Sequence, residues 1–190
     1  MANVDRPNGF RPVKTLSGAP INSTLRFVGV ADAADIFVGD ALELASGLAA
    51  RLTVEDECVG VAAGFGKISK GEQNFSGPYN PDTLMTRYYD DSASTHTEWG
   101  VWYYPVDDMI FEAQVDDTAE TGVVGEAYDI IVGSGSTTTG LSDMEINGDA
   151  LTNDGDVVIV EIPNLPDNDH TLAFGRYWVK FTTHEFAAVP

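Results

Sequence analysis

The chain has 190 residues, enough for one large domain or two small ones with a buried core. Its 30 Asp and Glu residues against 10 Lys and Arg give a formal net charge of −20. Phosphates and anionic lipids repel such a chain, so we expect neither nucleic acid nor a membrane among its partners. The single cysteine, Cys58, excludes an internal disulfide framework and a cysteine-rich zinc site.

The charge is distributed unevenly along the chain. Residues 1–26 carry four basic side chains and one acidic side chain, whereas all other segments together carry 6 basic and 29 acidic ones. Residues 88–175 contain 19 carboxylates and neither Lys nor Arg. This acidic stretch is interpreted first as a solvated surface, and alternatively as a surface matched to a basic partner or to divalent cations.

The N-terminal segment has the features of an extended arm. Pro7 and Pro12 fix the backbone and push the preceding residues towards extended conformations. Phe10 is an apolar residue that a purely solvated tail would not need. We therefore predict an ordered, extended arm at residues 1–22, followed by a β-rich body at residues 23–190.

Short apolar or alternating segments, separated by Gly, Asn, Asp and Ser, follow one another through the body. They indicate strands at 25–30, 35–44 with a turn at its centre, 51–54 (or a short helix), 57–63, 84–89, 99–104, 108–115, 128–132, 157–162 and 174–183. The segment 116–125 has room for one helical turn, and 133–156 consists mainly of turn residues. No apolar repeat of helical period is found, so we predict an all-β fold. Its architecture is an antiparallel sandwich or barrel with long loops, alternatively with a second small lobe inserted at 70–105.

Motifs for catalysis or metal binding are incomplete. The phosphate-loop-like segment before Ile68 lacks the required Ser or Thr at that position, and the zincin-like start at His184 lacks its second histidine at Val189. Acidic segments at 153–156 and 167–170 lack the spacing of a calcium loop. Nothing in the sequence nominates a nucleophile, so we expect no enzymatic activity, no cofactor and no metal site.

Aromatic residues are concentrated between residues 88 and 104. Adjacent strand residues point to opposite faces, so part of this cluster should be exposed. Trp99, Trp102 and Tyr104 are therefore candidate surface residues, for a subunit contact or for a sugar.

Several short segments, in the same order along the chain, resemble small head proteins of tailed bacteriophages, especially aquatic ones. The segments are Arg6–Lys14, Gly39–Ala41, Gly60–Val61, Ile110–Asp116, Gly135–Leu141 and Tyr177–Lys180. Residues 64–104 match no pattern of that group. The resemblance implies a capsid decoration (cement) protein on the outer surface of the virion, made in the host cytoplasm and often trimeric. Such a protein clamps neighbouring major capsid subunits and has no catalytic residues.

The arm is the predicted contact with the capsid or with an adjacent subunit. Its candidate residues are Arg6, Pro7, Asn8, Gly9, Phe10, Arg11, Pro12 and Lys14. We expect Arg6 and Arg11 to pair with carboxylates and Phe10 to occupy a pocket. The alternatives are a head-fibre or receptor-binding module that recognises host glycan, and a structural protein that depends on bound cations.

Overall fold

A computed structural model of the chain describes residues 3–31, 34–54, 56–67, 88–92, 99–119, 124–152 and 154–184. These residues form thirteen β-strands and one 3-10 turn at Ile21–Ser23, without an α-helix, which confirms the predicted all-β fold. The strands are β1 (Arg11–Thr15), β2 (Arg26–Gly29), β3 (Ile36–Phe37), β4 (Ala41–Ala45), β5 (Leu48–Arg51), β6 (Gly60–Lys67), β7 (Tyr88–Tyr89), β8 (Trp99–Pro105), β9 (Met109–Gln114), β10 (Ala127–Ile131), β11 (Glu145–Thr152), β12 (Val157–Glu161) and β13 (Arg176–Phe181). Within this part of the chain, no helix has the length and hydropathy needed to cross a bilayer.

The larger sheet has six antiparallel strands in the order β1–β9–β13–β12–β10–β11. Its last strand returns to β9, because Ile146 bridges Val115 and the Asp116 amide donates to the Ile146 carbonyl at 3.1 Å. Five strands therefore close into a barrel. The arm strand β1 pairs with the beginning of β9, beside the point where β11 reaches the end of the same strand.

A second sheet has five antiparallel strands in the order β2–β8–β6–β4–β5. It also closes on itself, since Val30 bridges Ala49 and the Ala31 amide donates to the Ala49 carbonyl at 2.8 Å. A two-stranded sheet of β3 and β7 lies beside it. Closure of both large sheets leaves few unpaired strand edges.

The described residues form two apolar cores, one of which extends from the six-stranded sheet to Ala41 and Val61 of the five-stranded sheet. The six-stranded sheet buries large side chains such as Phe111, Tyr128 and Tyr177, and the five-stranded sheet buries Leu42 and Val101. Inward and outward residues alternate along the strands, most regularly in β13. Each large apolar side chain buried in this way contributes roughly 1.5–3 kcal/mol.

Most predicted strands lie within a few residues of observed ones, and the differences are informative. β11 occupies a segment expected to be turns, and the expected strand or helix at 51–54 is instead the strand β5, which ends at Arg51. Residues 116–119 contain no helical turn. Of the alternative lobe at 70–105, Trp99–Pro105 forms the strand between β2 and β6; apart from 88–92, its other residues lie outside the described ones.

Candidate functional site

The N-terminal arm lies along its own chain. The Asn3 side chain donates to the carbonyls of Asp169 and Ala173 at 2.7 and 2.9 Å, and accepts a hydrogen bond from the Asp169 amide at 2.9 Å. Further along, the Arg6 amide donates to the Gln114 side chain at 3.1 Å. These contacts fix the arm before its strand begins.

Phe10 is the anchor of the arm. It is 1% exposed, its ring lies 5.0 Å from the ring of Phe181, and its amide donates to the Gly39 carbonyl at 2.9 Å. Gly9 has a φ of +65°, and a side chain there would collide with Gly39 and Ser142. The pocket that holds Phe10 is therefore the core of the same chain, not a surface on a neighbour.

The outer face of strands β1, β9 and β13 carries four of the ten basic side chains of the molecule. We call Arg11, Lys14, Arg176, Trp178 and Lys180, which surround Glu112, the basic face. Cross-strand pairing places Arg11 and Trp178 on either side of Glu112.

The polar groups of the basic face contact one another. Arg11 and Arg176 lie 4.0 and 3.7 Å from the Glu112 carboxylate, and Trp178 Nε1 donates to the same carboxylate at 3.4 Å. Lys14 Nζ lies 4.5 Å from the centre of the Trp178 ring, an arrangement in which the ring attracts the cation. Lys14 also pairs with Glu161 at 3.0 Å, and Arg176 pairs with Asp167 at 2.6 Å. Four basic side chains therefore face three carboxylates, and Lys180 is the basic residue of this face that the described ion pairs leave without a partner.

On the other side of the arm lies a cleft of about 690 Å³, which we call the arm cleft. It is lined by Arg6, Asn8, Phe10, Arg11, Pro12, Val38, Gly39, Ala62, Ala63, Tyr104 and Leu141. Arg6 and Arg11 are the charged residues among this described lining, in a chain with three times as many acidic as basic side chains. Asp and Glu are absent from the same set of lining residues.

The structure therefore divides the predicted arm residues among three places. Gly9 and Phe10 lie at the core, with Phe10 also at the wall of the arm cleft. Arg11 and Lys14 lie on the basic face; Arg11 also lines the cleft, as do Arg6, Asn8 and Pro12, and Pro7 is half-buried. The expected carboxylate partner of Arg11 is Glu112 of its own chain. The described ion pairs give Arg6 no partner.

The predicted aromatic set lies on two faces of β8. Trp102 packs against Phe27 with ring centres 4.8 Å apart, and Tyr104 points to the same side, into the arm cleft. Burial raises the pKa of Tyr104. Trp99 lies on the opposite face, edge-on to Tyr89 at 6.5 Å. These three residues therefore do not form one continuous surface, although two of them share a face.

A buried ion pair lies close to the arm. Asp40 is fully buried, and Arg51 Nε lies 3.0 Å from its carboxylate, which also accepts a hydrogen bond from the Phe37 amide at 2.8 Å. Burial raises the pKa of Asp40, and the charge of Arg51 opposes that rise. Arg51 also donates to the Gly133 carbonyl, so this pair ties the two barrels together.

Burial raises the pKa of two other titratable groups, Cys58 and Glu145. Burial raises the pKa of the Cys58 thiol to about 12, which makes it a poor nucleophile. Burial, reinforced by the charge of Asp5, raises the pKa of Glu145 to about 7, although Gln114 donates to its carboxylate at 3.0 Å. Among the described residues, no group of three or more His, Cys, Asp or Glu side chains is arranged to hold a metal ion.

Searches against protein-family models, curated protein sequences and solved structures found no match to this chain. The sequence interpretation did not select Arg176, Trp178 or Lys180 as site residues. One signal was present: Arg176 ends the long stretch without basic residues, only two positions before a tryptophan and four before a lysine.

Proposed function

We propose that the chain is a structural protein of a phage virion, which binds the outside of an icosahedral capsid and stabilises it by bridging major capsid subunits. The observation that carries this proposal is the basic face, which concentrates Arg, Lys and Trp on one sheet of a protein with a net charge of −20. Arg11, Lys14 and Arg176 pair with carboxylates of the same chain, so an acidic partner would exchange these ion pairs for new ones and would meet Lys180 directly. Arg and Trp are also the residues that contribute most to binding at protein interfaces.

The arrangement of the arm supports the same proposal. Segments that resemble phage head proteins contact one another: the Gly39 carbonyl accepts a hydrogen bond from the Phe10 amide at 2.9 Å, and Ala41 pairs with Val61 across β4 and β6. Strands β1, β9 and β13, which carry three of these segments, are neighbours. These segments thus hold the arm and form the basic face, as a rigid attachment surface requires. Many copies on one shell, as homotrimers at local three-fold positions, would add avidity to each weak contact.

Co-sedimentation with undecorated capsid shells of the same phage tests the proposal. We expect saturation at a stoichiometry set by the icosahedral lattice, and binding at least tenfold weaker for the double variant Lys14→Ala, Lys180→Ala and for Trp178→Ala. Light scattering of the free protein measures whether it is a trimer.

Arg26→Ala is the matched control, because Arg26 is exposed and pairs with Asp107 at 3.6 Å on the other barrel. It should bind shells as the wild type does. A complete absence of shell binding at low and moderate salt would contradict the proposal. Equal losses of shell affinity in Arg26→Ala and in the basic-face variants would contradict the assignment of the basic face as the capsid contact.

A further inference from the structure

The arm cleft is a second surface, which adjoins the basic face at Arg11 and combines cationic, apolar and main-chain groups. One wall is the arm, with the guanidinium groups of Arg6 and Arg11 and the side chain of Asn8. Its volume of about 690 Å³ is within the range of sites that enclose a ligand.

The arginine side chains of the cleft favour a ligand that carries an anionic group. The described lining contains Arg6 and Arg11 without Asp or Glu, in a protein with a net charge of −20. Arg11 also lies 4.0 Å from the Glu112 carboxylate, whereas the described ion pairs give Arg6 no partner, so Arg6 is the cation that a ligand would meet first. The Arg6 backbone is fixed through its hydrogen bond to Gln114, so the side chain starts from a defined position. A guanidinium group donates paired hydrogen bonds to a carboxylate, which makes a carboxylate the matching group.

The opposite wall of the cleft offers apolar side chains and main-chain groups. Val38, Leu141 and Tyr104 supply apolar surface. On β6, Ala62 pairs with Tyr103 and Gly64 pairs with Trp102, so the intervening Ala63 has no cross-strand partner on β8. A bulged residue of this kind leaves its main-chain polar groups outside the ladder, where another peptide chain can reach them.

We propose that the arm cleft binds an extended peptide segment of a partner protein. A carboxylate side chain of that segment pairs with Arg6 and Arg11, an apolar side chain lies against Val38 and Leu141, and its main chain passes along Ala63. This inference goes beyond the proposed function, because it holds for an acidic segment from any partner. Its residues Arg6 and Ala63 are also separate from those that test the basic face.

Fluorescence anisotropy with two labelled, end-capped heptapeptides tests the proposal. The first has the sequence GLELELG, and the second, GLQLQLG, has the same shape without charge. We expect the glutamate peptide to bind at least tenfold more tightly, and its affinity to fall as salt is raised. N-acetylglutamate, a small acid without the peptide, should displace it only at far higher concentration.

Variants assign the binding to the cleft. Arg6→Ala should weaken the glutamate peptide about tenfold, and Ala63→Trp should abolish its binding by filling the cleft. Arg26→Ala and the Lys14→Ala, Lys180→Ala double variant should bind the peptide as the wild type does. Arg6→Glu should lose the glutamate peptide and gain affinity for GLKLKLG, a reversal that a merely misfolded variant does not produce. Thermal melts establish that each variant is folded.

Four results would overturn the proposal. These are equal binding of the glutamate and glutamine peptides, no binding at millimolar concentration, displacement by equimolar N-acetylglutamate, and unchanged affinity in Arg6→Ala. The third result would mean that the cleft takes a small organic acid. Because the double variant of the basic face is measured in the same assay, failure of peptide binding and failure of shell binding are separable.

Discussion

Replacing Phe10 by Ala tests whether the arm is part of the folded body. The ring is 1% exposed and lies 5.0 Å from the ring of Phe181. Its neighbours are held by the close approach of Gly9 to Gly39, so the site has little freedom to collapse into the space left behind. A Phe→Ala change in such a core costs about 3–5 kcal/mol. For a chain of this size, that corresponds to a fall in melting temperature of roughly 6–20 °C.

Urea denaturation followed by tryptophan fluorescence measures the change in the free energy of unfolding. Leu16→Ala is the matched control, because Leu16 belongs to the same arm but is 55% exposed and should change stability by less than about 0.5 kcal/mol. If Phe10→Ala costs no more than the control, the arm is not packed in its own core and our argument fails. If wild-type stability rises with protein concentration, Phe10 occupies the core of another copy instead.

Three further changes have defined outcomes. Glu145 has a pKa of about 7 when folded, against an ordinary value of 4.5, so the folded state holds the proton more tightly and stability falls as pH rises between these values. Since the group is only half-buried, Glu145→Gln should flatten that fall and add on the order of 1 kcal/mol at pH 8, measured by urea denaturation across pH. Arg51→Ala should cost about 3–5 kcal/mol because it leaves the Asp40 carboxylate buried without its cation, and the double change Asp40→Asn, Arg51→Met should cost less. The Cys58 thiol, buried and with its pKa raised to about 12, should react with a disulfide reagent only at the rate of unfolding.

Each of these predictions has a result that would contradict it. An unchanged pH profile in Glu145→Gln would mean that its carboxylate is solvated. If Arg51→Ala and the double variant Asp40→Asn, Arg51→Met lose equal free energy of unfolding, the unpaired charge of Asp40 is not the cause of the lost stability. Rapid labelling of Cys58 under native conditions would show that the thiol is accessible.

The parts of the fold that the sequence predicted are those with local patterns. Strand β9 was recognised because Met109, Phe111 and Ala113 alternate with residues of the other face. β11 was missed because Asn147 and Gly148 have turn chemistry; there the strand is irregular, since its pairing with β10 shifts between Ile146 and Leu151. The turn-forming residues correctly indicated an irregular backbone at this point. The segment is nevertheless a strand, because it pairs with β10.

The candidate site was only partly predictable. The arm was recognised from its prolines and its charge, but its docking place depends on Phe181, 171 positions away, which no local pattern reveals. Strand alternation places Trp99 on the opposite face from Trp102 and Tyr104, and this follows from their odd and even positions along β8. The arm cleft was not predictable, because its walls come from segments that become neighbours only when the two barrels pack.

The pairing of Phe10 with Phe181 has a consequence for biosynthesis. Asn3 binds the loop at Asp169, and β1 lies against β9, which itself pairs with β13 near the other end of the chain. During translation, Phe10 thus cannot be buried until Phe181, 171 positions later, has left the ribosome. Contacts of such long sequence separation make folding slow and delay its completion until β13 has been synthesised. Until then, the N-terminal arm is exposed on an incomplete barrel, and this is the interval in which the chain is most open to aggregation and proteolysis.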